Sequence, residues 1–169
     1  MGTALAMMSV WPTTPALPAT LNVPVAARVI SFIQPPPTGI VPIAVLYQPG
    51  NAASETEASD VEEALPRGLA IGRARLRIRR VPVWNLEQLN GVRAAFVTTG
   101  LRAHHDAIAA AAAAESILTI SADSACVTSG RCVVGISNTR RTEITVNKLA
   151  ARRSGIRFSS AFLMLVKEL

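Results

Sequence analysis

The amino-acid sequence predicts a single compact α/β domain: one mixed β-sheet flanked by helices, with a C-terminal β-hairpin and a closing helix. Three observations lead there. Apolar runs of strand length alternate with helix-like segments through the first two thirds of the chain, an order that builds parallel strands with helices packed on them. Two strand-like runs then follow each other across a short polar connection, as in a hairpin. The 169 residues, half of them hydrophobic and 17% charged, suit one core rather than a disordered chain or several domains.

The elements follow in order. Residues 1–19 carry no charged side chain; the apolar stretch from Ala4 to Trp11 runs into Pro12, Pro15, Pro18 and small residues up to Ala19. A short apolar run before small residues reads as a secretory signal peptide, with a disordered leader as the alternative. The domain proper is expected over residues 20–169. No run approaches the roughly 18 apolar residues that cross a bilayer. A first helix is expected over residues 25–33, with Asn22 as cap, Pro24 near its first turn and Pro35 to Pro37 as its stop. Residues 40–47 are almost continuously apolar, which fits a strand buried on both faces. After a turn at Pro49-Gly50-Asn51, a helix is expected over residues 54–65. Ser54 would cap it, Glu57 would complete a capping box, and Ala58, Val61 and Leu65 would face inward. Pro66 and Gly68 end it.

Residues 73–79 alternate strictly. In a strand, Arg73, Arg75, Arg77 and Arg79 point one way and Ala74, Leu76 and Ile78 the other. The plain reading of the stripe is a solvated sheet face or a charge-guarded edge; the sharper one is a binding face for an anionic partner. Further strands are expected at 94–98 and 116–121, with a helix between them from Arg102 through the alanine block at 109–114. Residues 131–137 and 143–147 form the hairpin around 138–141. A short helix at 148–153 ends near Gly155. The last helix, capped by Ser159 or Ser160, runs through Val166, with Phe162, Leu165 and Val166 docked on the core.

The catalytic inventory is thin. His104 and His105 are the only histidines, beside Asp106 on a helix. Adjacent helical residues diverge by about 100°, so the pair does not converge on one metal. There is no phosphate-binding glycine loop and no Gly-x-Ser-x-Gly elbow. The acids Glu55, Glu57, Asp60, Glu62 and Glu63 read as a solvated helix face. The expectation is therefore no enzyme activity, no cofactor and no metal. The net charge of +6 comes with only 4% aromatics. That provides no stacking platform, so nucleic acid is not the expected partner. Cys126 and Cys132 are the only cysteines. A turn at Ser129-Gly130 brings them within bridging range, and an even count suits an exported protein. A buried, reduced pair is the alternative.

An ordered series then stands out: Ile117-Leu118-Thr119-Ile120-Ser121, Gly130, Glu143-Ile144-Thr145-Val146-Asn147, Ala150-Ala151, Ser154-Gly155-Ile156-Arg157-Phe158-Ser159-Ser160 and an apolar last segment. It resembles the YfiR/HmsC-like family over about residues 116–166, with Asn147, Gly155, Ser159 and Ser160 as the motif residues. The sequence departs from the family in places. Phe32-Ile33-Gln34-Pro35 keeps only the proline of a usual Trp-Pro, Ala161 replaces a basic residue, and a second disulfide cannot form. The resemblance implies a periplasmic, non-enzymatic regulator with its bridge at Cys126 and Cys132. Its implied partner is the periplasmic domain of a membrane diguanylate cyclase. Repressing that enzyme would tie envelope or redox state to cyclic-di-GMP synthesis and biofilm formation. The rival expectation is a module that binds peptidoglycan fragments, or another anionic envelope component, through the arginine stripe. A homodimer is compatible with either.

Overall fold

The computed structural model describes residues 20–65, 68–138 and 141–169. The leader expected over residues 1–19, Pro66 and part of the hairpin connection lie outside them. The helices are α1 (Val23–Ile30), α2 (Ala52–Ala64), α3 (His105–Ala114), α4 (Ser124–Thr128), α5 (Lys148–Arg153) and α6 (Ser160–Leu163). The strands are β1 (Gly39–Tyr47), β2 (Ala70–Ile71), β3 (Ala74–Pro82), β4 (Ala94–Val97), β5 (Leu118–Ser121), β6 (Val134–Asn138), β7 (Thr142–Val146) and β8 (Lys167–Glu168). All eight strands join one sheet in the order β2-β3-β1-β4-β5-β6-β7-β8. Neighbours from β3 through β6 are parallel, while β2 and β7 run against β3 and β6. The sheet is mixed, as expected.

β1 lies inside the sheet, third of the eight strands, and both of its faces are apolar. Val41, Ile43 and Val45 pack with α1 and α2, and Ala44 and Leu46 pack on the opposite side with Leu101 and Ile108 of the α3 region. α2 crosses from β1 to β3 over one face and α3 from β4 to β5 over the other, so the winding direction reverses between β1 and β4. Pro42 is tolerated inside this central strand. Its carbonyl accepts from Arg93 N at 3.0 Å, one residue before β4 begins opposite Ile43. The N–H that proline lacks therefore has no ladder partner to lose.

Local expectations for α2, for the strand after the cysteines and for the last helix are corrected. α2 starts earlier: Asn51 Oδ1 accepts from Ser54 N at 3.2 Å, and Glu55 Oε1 accepts from Gly50 N at 3.0 Å. Ser54 is buried beneath the ends of β1 and β4, where its hydroxyl accepts from Gln48 N at 2.9 Å and lies 2.6 Å from Thr98 Oγ1. Tertiary burial takes that hydroxyl away from capping. The strand expected from residue 131 begins at Val134, because the unanticipated α4 and the turn after it occupy the segment between the cysteines.

The last helix stops at Leu163 instead of Val166. The chain then turns and adds β8 beside β7, with Leu169 N donating to Val146 O at 2.9 Å and Lys148 N to Leu169 O at 3.1 Å. These ladder bonds replace those of another helical turn. Phe162 is buried as expected and stacks on Phe32 at 4.8 Å and beside Phe158 at 5.1 Å. Leu165 is not docked: it is 81% exposed, and Met164 86%.

Chemical denaturation of single variants tests this division. Phe162→Ala should lose about 3–5 kcal/mol, the range for a buried aromatic. Leu165→Ala should stay within about 0.5 kcal/mol of the parent, as a surface substitution does.

Candidate functional site

The motif residues of the C-terminal third hold backbone together. Asn147 Oδ1 caps α5 through Ala150 N at 2.9 Å, and its Nδ2 donates to Val127 O at 2.8 Å. One side chain thus ties the end of β7 to α4, the helix that carries Cys126. Gly155 ends α5 with a φ of +62°, while Ile156 N donates to Ala151 O at 2.8 Å and Gly155 N to Arg152 O at 3.1 Å. This paired closure needs the left-handed conformation that glycine adopts without strain. Ser159 Oγ accepts from Phe162 N at 3.4 Å and caps α6; Ser160 is exposed at the start of that helix.

Cys126 and Cys132 form a disulfide with a Cα–Cα distance of 5.2 Å. Both are fully buried, and Arg131 N and Cys132 N each donate to Cys126 O at 2.9 Å. The clip packs among Val97, Ile117 and Val127 on the α3 side of the sheet.

The arginines divide by role. Arg75, Arg77 and Arg79 are exposed at alternate positions of β3, and Arg73 is exposed in the turn before it. Leu76 on the opposite face is buried, but Ile78 is only partly so. Arg79 donates to the carbonyls of Gln88 and Asn90, which fixes it against the 3-10 turn at Leu86–Leu89. Arg80 breaks the alternation. It pairs with Glu62 at 2.8 Å, donates to Ser59 Oγ at 2.9 Å and lies 5.6 Å from the Tyr47 ring centroid, so it anchors α2. Among the described residues no carboxylate stands within ion-pair distance of Arg73, Arg75 or Arg77. A groove of about 810 Å³ runs between the end of α2 and β3, with Glu62, Leu65, Ile78, Ile40, Arg75 and Arg77 in its lining.

A polar cluster sits at the carboxyl ends of the parallel strands, where the winding reverses and α/β folds gather function. Glu57 does not lie on the solvated face expected for it: it is only 7% exposed. Its Oε2 accepts from Thr99 N at 2.7 Å and from Thr99 Oγ1 at 2.8 Å, and Oε1 is buried without a hydrogen-bond partner. Burial holds its pKa above the ordinary 4.5, the Thr99 bonds oppose this, and Asp60 and Asp123 add to it. The sequence carried a signal for this position, since Glu57 is three residues from Ser54 and four from Val61 on one helical face. His105 is 5% exposed, and its Nε2 stands 3.9 Å from Asp123 Oδ2 with no hydrogen bond. Burial draws its pKa below 6.5, against the pull of Asp123. The described residues contain no cluster of three or more His, Cys, Asp or Glu side chains able to hold a metal ion.

A family model described as YfiR/HmsC-like matches residues 27–167. No curated protein matches the chain in sequence. Among solved structures, a conserved domain protein from Vibrio cholerae O1 biovar El Tor aligns with a TM-score of 0.58 at 13% identity, covering 86% of this chain and 58% of its own. The ligand-free, open structure of a substrate-binding protein with adhesive properties from Clostridium difficile gives 0.60 at 13% identity, covering 86% of this chain and 68% of its own. The chain thus spans 58% of the length of the first, and at this identity both likenesses concern the fold alone.

Two measurements follow from the site. Reduction should raise the intact mass by about 2 Da and, for so short a loop, cost about 2 kcal/mol of stability. Glu57 supplies a pH test. Above pH 4.5 and up to its raised folded pKa, the folded state binds a proton that the unfolded chain has released. Its contribution to stability is therefore present at acid pH and lost as pH rises through that window. His105 acts in the opposite sense and loses stability as pH falls below 6.5. Glu57→Gln should melt higher than the parent at pH 8, and the difference should shrink toward pH 4.5.

Proposed function

The chain belongs to the YfiR/HmsC-like family, and from that premise we propose a periplasmic, non-enzymatic regulator that binds and represses a membrane-bound diguanylate cyclase. Its partner is the periplasmic domain of that enzyme, and its output is the level of cyclic-di-GMP and, through it, biofilm formation. One observation carries the reading: the match runs from α1 to β8, almost the whole described domain, rather than over an isolated motif. The geometry is consistent with a protein that works by contact. Leu149, Met164 and Leu165 are exposed in the C-terminal third, and among the described residues Arg73, Arg75 and Arg77 have no carboxylate in ion-pair range, which leaves them to meet an acidic partner. Envelope redox state would act through Cys126 and Cys132. Both are buried, so a reductant reaches the bridge only after local opening around α4.

A second reading is a binding module for an anionic envelope component such as a peptidoglycan fragment. The groove bearing Arg75 and Arg77 favours it, as does the likeness in fold to a substrate-binding protein.

The regulator reading is tested by exporting the chain into the periplasm of a host that carries a cognate cyclase but no repressor of its own. Cyclic-di-GMP should fall several-fold on induction. An unchanged level, with the folded chain recovered from the periplasm, goes against repression.

A further inference from the structure

β3 is a nine-residue strand with a short outer neighbour. β2 sets only Ala70 against Arg75 and Ile71 against Ala74, and Leu76 N donates to Leu69 O at 2.9 Å. Backbone direction alternates along a strand, so even-numbered residues of β3 turn their N–H and C=O outward, as Leu76 does, and odd-numbered residues turn theirs to β1. Past Leu76 the described residues place no further strand on the outer side. Pro82, the last even position, has no N–H to leave unpaired there, which is the usual place for proline in a sheet. An edge of this kind is a template for one more strand.

The two sides of this edge differ chemically. On one, Arg75 and Arg77 are exposed without a carboxylate in ion-pair range among the described residues, and Arg79 is held on the Gln88 and Asn90 carbonyls. On the other stand Leu65, half-buried Ile78 and Glu62, which is paired with Arg80; the groove of about 810 Å³ has these residues together with Arg75 and Arg77 in its lining, so it reaches both sides of the edge. An added strand shows alternate side chains to these two sides.

We propose that the β3 edge takes an extended segment of the partner protein as an additional strand. Acidic side chains at alternate positions meet Arg75 and Arg77, and the intervening apolar side chains enter the groove beside Leu65 and Ile78. This assigns the contact surface of the regulator and rests on that reading. Other occupants fit less well. A second copy pairing β3 with β3 would set arginine rows together on a chain of net charge +6. Residues 1–19 contain no Asp or Glu. A glycan or phosphate polymer would meet the arginines and leave the backbone edge unpaired.

The test uses two probes. The first is a fluorescent peptide of roughly eight residues, an ordinary strand length, in which glutamate and valine alternate. The second is the periplasmic domain of the cognate cyclase. The peptide should bind. Arg75→Glu with Arg77→Glu should weaken it at least about tenfold, and so should N-methylation of alternate peptide bonds. Arg152→Glu with Arg153→Glu, equally exposed on α5, should leave it unchanged. Arg75→Gln with Arg77→Gln should weaken it in the same direction with a melt matching the parent, which separates lost contact from lost folding. The cyclase domain should follow the same pattern. Equal binding of the N-methylated peptide, or of one with its glutamates and valines in separate blocks, overturns strand addition. So does equal competition by peptidoglycan fragments. No peptide binding at all also overturns it and leaves β3 a guarded edge. Cyclase binding that survives charge reversal overturns the shared site while the regulator reading stands. Peptide binding with no cyclase binding overturns the regulator reading instead.

Discussion

β1 is covered by helices on both sides, so every side chain of its central half must be apolar and every backbone group must be paired within the sheet. Ile43, Ala44, Val45 and Leu46 meet the first demand. The second requires parallel neighbours along β1, because the crossovers through α2 and the Leu86–Leu89 turn return the chain in the same direction. The positions of the other elements follow. α1 and α2 cover one face and α3 the other, and the ends of β1 and β4 lie side by side where the winding reverses. Ser54, Thr98, Thr99 and Glu57 link up at that reversal. They satisfy polar backbone and side-chain groups that would otherwise be stranded in the interior.

The C-terminal third extends the sheet by other means. β6 and β7 form a hairpin, and the chain returns through α5, α6 and β8 to the outer side of β7. Short elements such as these have little cooperativity of their own. They are held by specific bonds: Asn147 to Val127, the glycine-ended closure of α5, the disulfide around α4, and the Phe32, Phe158 and Phe162 cluster that joins the last turn to α1. Asn147, Gly155 and Ser159 therefore each cap or end one of the short helices that close the fold.

The arginines show how one residue type is divided by its place in the fold. Arg80 is half-buried and paired, Arg79 is spent on carbonyls, and Arg75 and Arg77 face solvent with no acid in ion-pair range among the described residues. An exposed guanidinium row beside an edge strand discourages pairing with a like-charged or apolar strand and favours an acidic one. Guarding and recognition are thus two consequences of the same charge.

Much of the architecture was legible in the sequence. Unbroken apolarity marked β1, strict alternation marked β3, Asn22 and Pro24 marked the start of α1, and the ordered motif of residues 116–166 marked the family. Each is a local pattern imposed by backbone geometry, so a one-dimensional reading reaches it. What tertiary structure alone decided was the use of residues whose local options were nearly equal. Ser54 and Asn51 could both cap α2, and burial under β4 claimed Ser54. Glu57 belonged equally to an acidic face and to the Ser54–Val61 face, and packing on the sheet chose the second. Residues 164–169 could have continued a helix, and the open side of β7 drew Lys167 and Glu168 into a strand. The sequence determines which groups are apolar, charged or conformationally free; where two placements satisfy those demands locally, the nearest unpaired backbone or unfilled core position in the folded chain decides.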